Sequence, residues 1–165
     1  MQVELQPLSV THVKRLRELH RQPGVSEWWG PMEPFFPFDE PESTRFAVVV
    51  DGEIAGLVQH GEADWPVERH AYVDIFIGDD FTGQGIGTEV LRRVVRLLIE
   101  EHGHRRILID PSAKNERAIR CYEKVGFRRV GVFAPAAEGR GDEELYLELV
   151  TSTGTPPDSV WKTTQ

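Results

Sequence analysis

The spacing of apolar and polar positions changes several times along the chain, and each change marks an element. Val3 to Ser9, VELQPLS, alternates as a half-buried strand does. From Thr11, which reads as a helix cap, Val13, Leu16 and Leu19 recur at helical spacing. A Pro- and Gly-rich stretch from Pro23 to Pro41 follows and holds Trp28-Trp29 and Phe35-Phe36. The paired tryptophans read as lying on a loop or a short helix end. RFAVVV and EIAGLVQH flank Asp51-Gly52, a hairpin signature. ERHAYVDIFIG is a further strand. GTEVLRRVVRLLIEEHG is the clearest helix: Val90, Leu91, Val94, Val95 and Leu98 form one stripe, and Gly103 stands where it should end. RRILID reads as a short strand. NERAIRCYEKVGF is a second amphipathic helix, with Ala118, Ile119, Tyr122 and Val125 on one face and Gly126 as its stop. RRVGVF and EELYLELV are closing strands.

The expected order is therefore βα, then three strands, then α-β-α-β-β. The helical crossover between the strands around Asp74 and Ile107 makes those two strands parallel neighbours. The predicted class is α/β (α+β). Its mixed, mostly antiparallel sheet has about six or seven strands with one parallel pair, flanked by about four helices. Residues 1–150 read as one domain. Residues 151–165 read as a polar, mobile tail.

Composition narrows the class of partner. A chain of 165 residues can bury a real core. Its net charge of −8 argues against nucleic acid and is compatible with a cationic ligand. The single cysteine, Cys121, cannot form an internal disulfide. No apolar run approaches the roughly 18 residues of a membrane span. MQVELQPLSV has no basic region followed by an apolar stretch. The expectation is a cytoplasmic protein, a monomer or homodimer, with neither nucleic acid nor membrane as partner.

FTGQGIGTEVL runs straight from a strand into the long helix, with Gly83, Gly85 and Gly87 alternating. Glycines let the backbone turn tightly and bring its N–H groups close to a ligand. The helix N-terminus behind them adds free amides and a positive dipole end. Together they suit an anion, most naturally a pyrophosphate, and Thr88 could add a hydroxyl. The same glycines would also serve a plain strand-to-helix turn. A Walker loop is excluded because its lysine is missing, and the spacing differs from the dinucleotide fingerprint.

These residues resemble the GNAT superfamily of N-acetyltransferases. The loop pattern of that family, [Q/R]-x-x-G-x-[G/A], is similar to Thr82-Gly83-Gln84-Gly85-Ile86-Gly87, with Thr82 where the pattern has Gln or Arg. A second signature, N-x-x-A-x-x-x-Y-x-x-x-G-F, matches at Asn115, Ala118, Tyr122, Gly126 and Phe127. Within the superfamily, DPSAKNERAIRCYEKVGF and Glu27-Trp28-Trp29-Gly30 look like segments of the aminoglycoside 6'-N-acetyltransferases. The resemblance implies a GNAT fold, acetyl-CoA as co-substrate, no metal, and transfer of acetyl to the 6'-amine of an aminoglycoside. Siderophore-type or other small-amine acyltransferases, ribosomal-protein acetyltransferases and a non-catalytic acetyl-CoA-binding module are the alternatives.

The resemblance also assigns residues. Thr82 to Thr88 (Gly83, Gln84, Gly85, Ile86 and Gly87 between them), with Asn115 and Ala118, would hold acetyl-CoA. Ile75, Phe76 and Ile77 would offer backbone groups beside the thioester, on the edge where the parallel strands splay. Tyr122 would protonate the leaving thiolate. Asp110, Asp64 and Trp65 would line the acceptor pocket. The residues themselves supply further arguments. Alternation in AYVDIFIG puts Tyr72, Asp74 and Phe76 on one face of the strand. A carboxylate among such neighbours needs a reason, because an unpaired buried charge is expensive. Asp74 is accordingly the candidate base, orienting an ammonium and passing its proton through water, with His70 a weaker alternative. Trp28-Trp29 offer flat faces that attract cations and sugar rings. With Asp74, Asp110, Asp142, Glu143 and Glu144 they would make a pocket for a polycationic amine.

Overall fold

In a computed structural model, residues 1–64, 68–133, 143–151 and 160 are described. Among them lie seven strands in one sheet: β1 (Val3–Pro7), β2 (Thr44–Val50), β3 (Glu53–Ala63), β4 (His70–Ile77), β5 (Arg106–Ile109), β6 (Arg128–Phe133) and β7 (Glu144–Val150). Four helices pack on it: α1 (Val13–His20), α2 (Pro23–Trp29), α3 (Ile86–Glu100) and α4 (Glu116–Val125). The sheet order is β1-β2-β3-β4-β5-β7-β6, antiparallel except for β4 and β5. The expected mixed sheet, with its parallel pair joined through a long helix, is the sheet observed.

Local chemistry sets the turns. Asp51 and Gly52 both take positive φ, 48° and 84°, as a two-residue hairpin requires. Gly126, at φ 122°, stops α4 and lets the Phe127 N–H turn back to the Tyr122 carbonyl at 3.2 Å. Thr11 is not the cap of the first helix. The turn begins two residues earlier, where the Ser9 N–H donates to His12 Nδ1 at 3.1 Å and Val10–His12 form a 3-10 turn leading into α1. The Pro/Gly-rich stretch contains α2, with Pro23 in its first turn, and Trp28-Trp29 are its last two residues. Helical phase turns neighbouring side chains about 100° apart, so the two indoles leave the helix in different directions.

Each face of the sheet has its own core. One is built from Val58, Ala71, Val73 and the buried faces of α3 and α4, including Leu91, Val95, Ile119 and Val125. Val160, beyond the last strand, also sits in this core, and its carbonyl accepts from Arg96 Nη1 at 3.4 Å. The other core holds Leu16, Leu19, Val25, Phe36, Leu57 and Phe76, with Trp29 packed against it. Strand β4 therefore divides its side chains as its alternation predicts. Phe76 faces α1 and α2, while Ala71 and Val73 face α3 and α4.

Candidate active site

Strands β4 and β5 pair only at Ala71–Ile107 and Tyr72–Leu108. Beyond Tyr72 they part, and a cavity of about 910 Å³ opens between them. Asp74 to Ile77 line one side, and Ile109 to Ser112 line the other. Residues from both faces of the sheet border this space. It therefore runs through the gap, from α2 on one face to α3 and α4 on the other.

At the α3 end the wall is Thr82, Gly83 and Gly85 to Thr88, with Asn115, Ala118, Cys121 and Tyr122 of α4 opposite. Gly83 and Gly85 have φ of 76° and 79°, a region that side chains avoid, and Gly85 is the residue from which α3 starts. This cradle fits a pyrophosphate. The side chains in it are partly committed elsewhere. Thr82 Oγ1 donates to the Asp79 carbonyl at 3.0 Å, and Gln84 Nε2 to the Asp80 carbonyl at 3.1 Å. Gln84 does not line the cavity, so its side chain serves the loop rather than a ligand. Thr88 is buried, with its hydroxyl hydrogen-bonded to Cys121 Sγ at 3.2 Å. Asn115 caps α4, its Oδ1 accepting from the Ala118 N–H at 3.3 Å. Arg117, Arg120 and Lys124, at positions of α4 that line the cavity, were not singled out from the sequence. Their signal was one basic stripe at helical spacing beside a glycine loop.

At the α2 end the wall is acidic and aromatic: Glu27, Trp28, Trp29, Glu40, Asp74, Asp110 and Glu144 all border the cavity. Trp29 also lies edge-on to Phe76, ring centres 5.0 Å apart, so it is both pocket wall and core. Asp64 is not part of this group. It is exposed just past the end of β3 and does not line the cavity. Trp65 and Asp142 lie outside the described residues, and Glu143 is exposed beside the cavity-lining Glu144. His70 is buried at the start of β4, away from the cavity, with Nδ1 3.4 Å from the Glu68 carbonyl. It has a structural place. Gln59 and Glu40 line the cavity and were not anticipated. A glutamine inside the apolar run EIAGLVQH was the available clue.

Tyr122 stands where the two ends meet. Burial raises its pKa well above the ordinary phenol value, and the charges of Cys121, Asp74 and Asp110 raise it further. The hydroxyl therefore keeps its proton at any physiological pH. Tyr146 is pushed up to about 12, by burial first and then by Asp110 and Glu144. The cavity thus combines an anion cradle, a protonated phenol and a cluster of carboxylates.

Known proteins resemble this chain in sequence and in fold. The acetyltransferase (GNAT) family model matches residues 13–127. Aminoglycoside N(6')-acetyltransferase type 1 of Klebsiella pneumoniae is 31% identical over 129 residues, which cover 65% of this chain and 64% of that protein. The chain thus spans a little under two thirds of that relative's length. Spermidine N(1)-acetyltransferase of Escherichia coli (strain K12) is 27% identical over 135 residues, 76% of this chain and 72% of the relative. Among solved structures, aminoglycoside acetyltransferase AAC(6')-Ib in complex with coenzyme A and kanamycin superposes with a TM-score of 0.77. It is 28% identical, and the match covers 90% of this chain and 95% of that one.

Proposed function

This chain belongs to the acetyltransferase (GNAT) family, and we propose that it transfers acetyl from acetyl-CoA to a primary amine of a polycationic small molecule, the 6'-amine of an aminoglycoside. In this reading residues 1–150 are the transferase domain, with Val160 packed into its core, and the protein acts as a resistance enzyme. The observation that carries the reading is the cavity that joins a glycine cradle to a wall of indoles and carboxylates across the β4–β5 gap.

Bound acetyl-CoA would supply the activated acyl group. Gly83, Gly85 and Gly87, at the start of α3, would hold its pyrophosphate, and Arg117, Arg120 and Lys124 line the same end of the cavity. The β4 backbone from Ile75 to Ile77, unpaired by β5, would set an N–H against the thioester carbonyl oxygen. Where such donors have been removed elsewhere, the loss is about 3 kcal/mol. Asp74 would orient the acceptor ammonium and pass its proton on through water. Tyr122 would give its proton to the departing sulfur. Trp28 and Trp29 would face the sugar rings, and Glu27, Glu40, Asp110 and Glu144 the remaining ammonium groups.

A second reading has its own support. An acidic pocket fits any flexible polyamine, and the spermidine acetyltransferase of E. coli covers more of this chain than the aminoglycoside relative does. One assay separates the two. Purified protein and acetyl-CoA are tested for free-thiol release with kanamycin, tobramycin, a 6'-hydroxyl aminoglycoside, spermidine, lysine derivatives and a short peptide. Turnover on 6'-amino compounds and little on the 6'-hydroxyl analogue is the expected result. Turnover on spermidine alone would replace the aminoglycoside reading with the polyamine one. Acetyl-CoA binding with no turnover on any amine would reduce the chain to a binding module.

A further inference from the structure

Behind Asp74 stands a row of polar side chains that the mechanism above does not use. Strand register sets Arg45 of β2, Gln59 of β3 and Asp74 of β4 side by side. Gln59 Nε2 donates to Asp74 Oδ2 at 2.9 Å, and Arg45 Nε donates to Gln59 Oε1 at 2.7 Å. Arg45 Nη1 reaches Asp39 Oδ1 at 2.6 Å and the Pro37 carbonyl at 2.8 Å, and Nη2 lies 3.7 Å from Glu40 Oε2. Arg45 and Gln59 are 6% and 4% exposed, so water does not compete for these bonds. A guanidinium can only donate. Gln59 must therefore turn its carbonyl to Arg45, which leaves its NH₂ for Asp74.

We propose that Gln59 and Arg45 are positioning residues that aim the Asp74 carboxylate at the acceptor amine while keeping the guanidinium charge away from it. This rests on the reading of Asp74 as the group that receives the ammonium. A direct Arg–Asp pair would fix the carboxylate equally well. It would also occupy it with a cation and compete with the substrate. The neutral amide passes on the direction without the charge. Asp39 and Glu40 answer the guanidinium instead, as a buried cation requires. The same contacts tie the segment before β2 to the site. Glu40 lines the cavity, and Ser43 joins Glu40 Oε2, at 3.3 Å, to Tyr72 Oη, at 2.6 Å. The other titratable or charged groups that line the cavity with Asp74 are Glu116, Arg117, Arg120, Cys121, Tyr122 and Lys124 of α4, Asp110 beyond β5, Glu144 of β7, Glu27 of α2 and Glu40.

The test needs a readout that does not depend on turnover. The Asp74 carboxyl is titrated by ¹³C NMR, with Asp74→Asn as the assignment control, in the wild type, Gln59→Leu and Gln59→Glu. Gln59→Glu is chosen because it keeps the side chain's shape and gives Arg45 a partner, should Gln59→Leu not fold. Loss of the donor is expected to raise the Asp74 pKa by about one pH unit in Gln59→Leu, and more in Gln59→Glu, where a second carboxylate faces it. Acceptor kcat/KM is expected to fall about 10- to 100-fold, with the acetyl-CoA KM unchanged and the acid limb of the pH profile moved up in step with the carboxyl. An Asp74 titration unmoved in both variants would overturn the proposal, as would a kcat/KM within twofold of wild type. A wild type that acetylates no amine would sink the functional reading alone, and the Asp74 titration would still decide the positioning.

Discussion

Replacing Tyr122 by Phe isolates one step of the proposed chemistry. The ring lies in the core between the sheet and α4, 6.5 Å from Phe127, and the residue is 7% exposed. Phe keeps that ring and its packing, so only the hydroxyl is lost, and Tm should move by no more than a few degrees. The hydroxyl's role is to protonate the departing sulfur. Positioned general acids contribute about 10²- to 10⁴-fold, or about 2.7–5.4 kcal/mol of barrier. Tyr122→Phe should therefore lower kcat by that factor and leave the acetyl-CoA Kd and the acceptor KM unchanged. Because burial and the nearby acids raise the phenol's pKa, the proton stays in place as pH rises. The wild type should show no loss of kcat from this group between about pH 7 and pH 10. The assay is thiol release under saturating substrates, with acetyl-CoA binding measured separately by calorimetry. A kcat within twofold of wild type would leave Tyr122 a packing residue and require another source for the proton.

Three further substitutions and a change of pH probe the rest of the molecule. Gly85→Ala forces a side chain into the left-handed region at φ 79°, at a cost of about 1–2 kcal/mol; the free loop relieves that strain by leaving the cradle shape and must regain it on binding, so the acetyl-CoA Kd should rise about 5- to 30-fold. An unchanged Kd in calorimetry would remove the loop from cofactor binding. Trp29→Ala should lower stability by about 2 kcal/mol, roughly half the cost of truncating a fully buried Trp, because the ring also packs on Phe76. Trp28→Ala should raise the acceptor KM about 2- to 30-fold at smaller cost in Tm, and equal melting losses in the two variants would contradict this division. Stability should fall as pH drops through about 6.5. His20, His60 and His104 all have pKa values lowered, chiefly by burial, so the unfolded chain takes up protons there that the folded chain refuses. A histidine whose pKa is lowered by one pH unit costs the folded state up to about 1.4 kcal/mol once the unfolded chain is protonated, and a Tm constant from about pH 7.5 to 5.5 would refute the assignment.

Much of this architecture is carried by local pattern. Alternation marks the strands, 3.6-residue spacing marks α1, α3 and α4, and Asp51-Gly52 and Gly126 place their turns, because these features depend on neighbours a few residues apart. The glycine loop and the Asn115-to-Phe127 helix were legible for the same reason, and chain order alone implied the parallel pair. Other features depend on which distant residues meet. The pairing of β4 with β5 stops at Tyr72–Leu108, and the cavity opens between the strands beyond it. The row Arg45–Gln59–Asp74 exists because the β2–β3 and β3–β4 registers place three positions side by side, with a register shift between Val48 and Val49. No window of the sequence contains that row. Asp64 looked as acidic as Asp110 in the sequence, yet it faces solvent while Asp110 borders the cavity. Trp29 looked like half of a binding wall, and helical phase gave it a second contact in the core. The sequence determined the elements and the chemistry available to them. Tertiary structure decided which of those groups converge, because convergence follows from register, splay and helix phase, and single residue types do not record these.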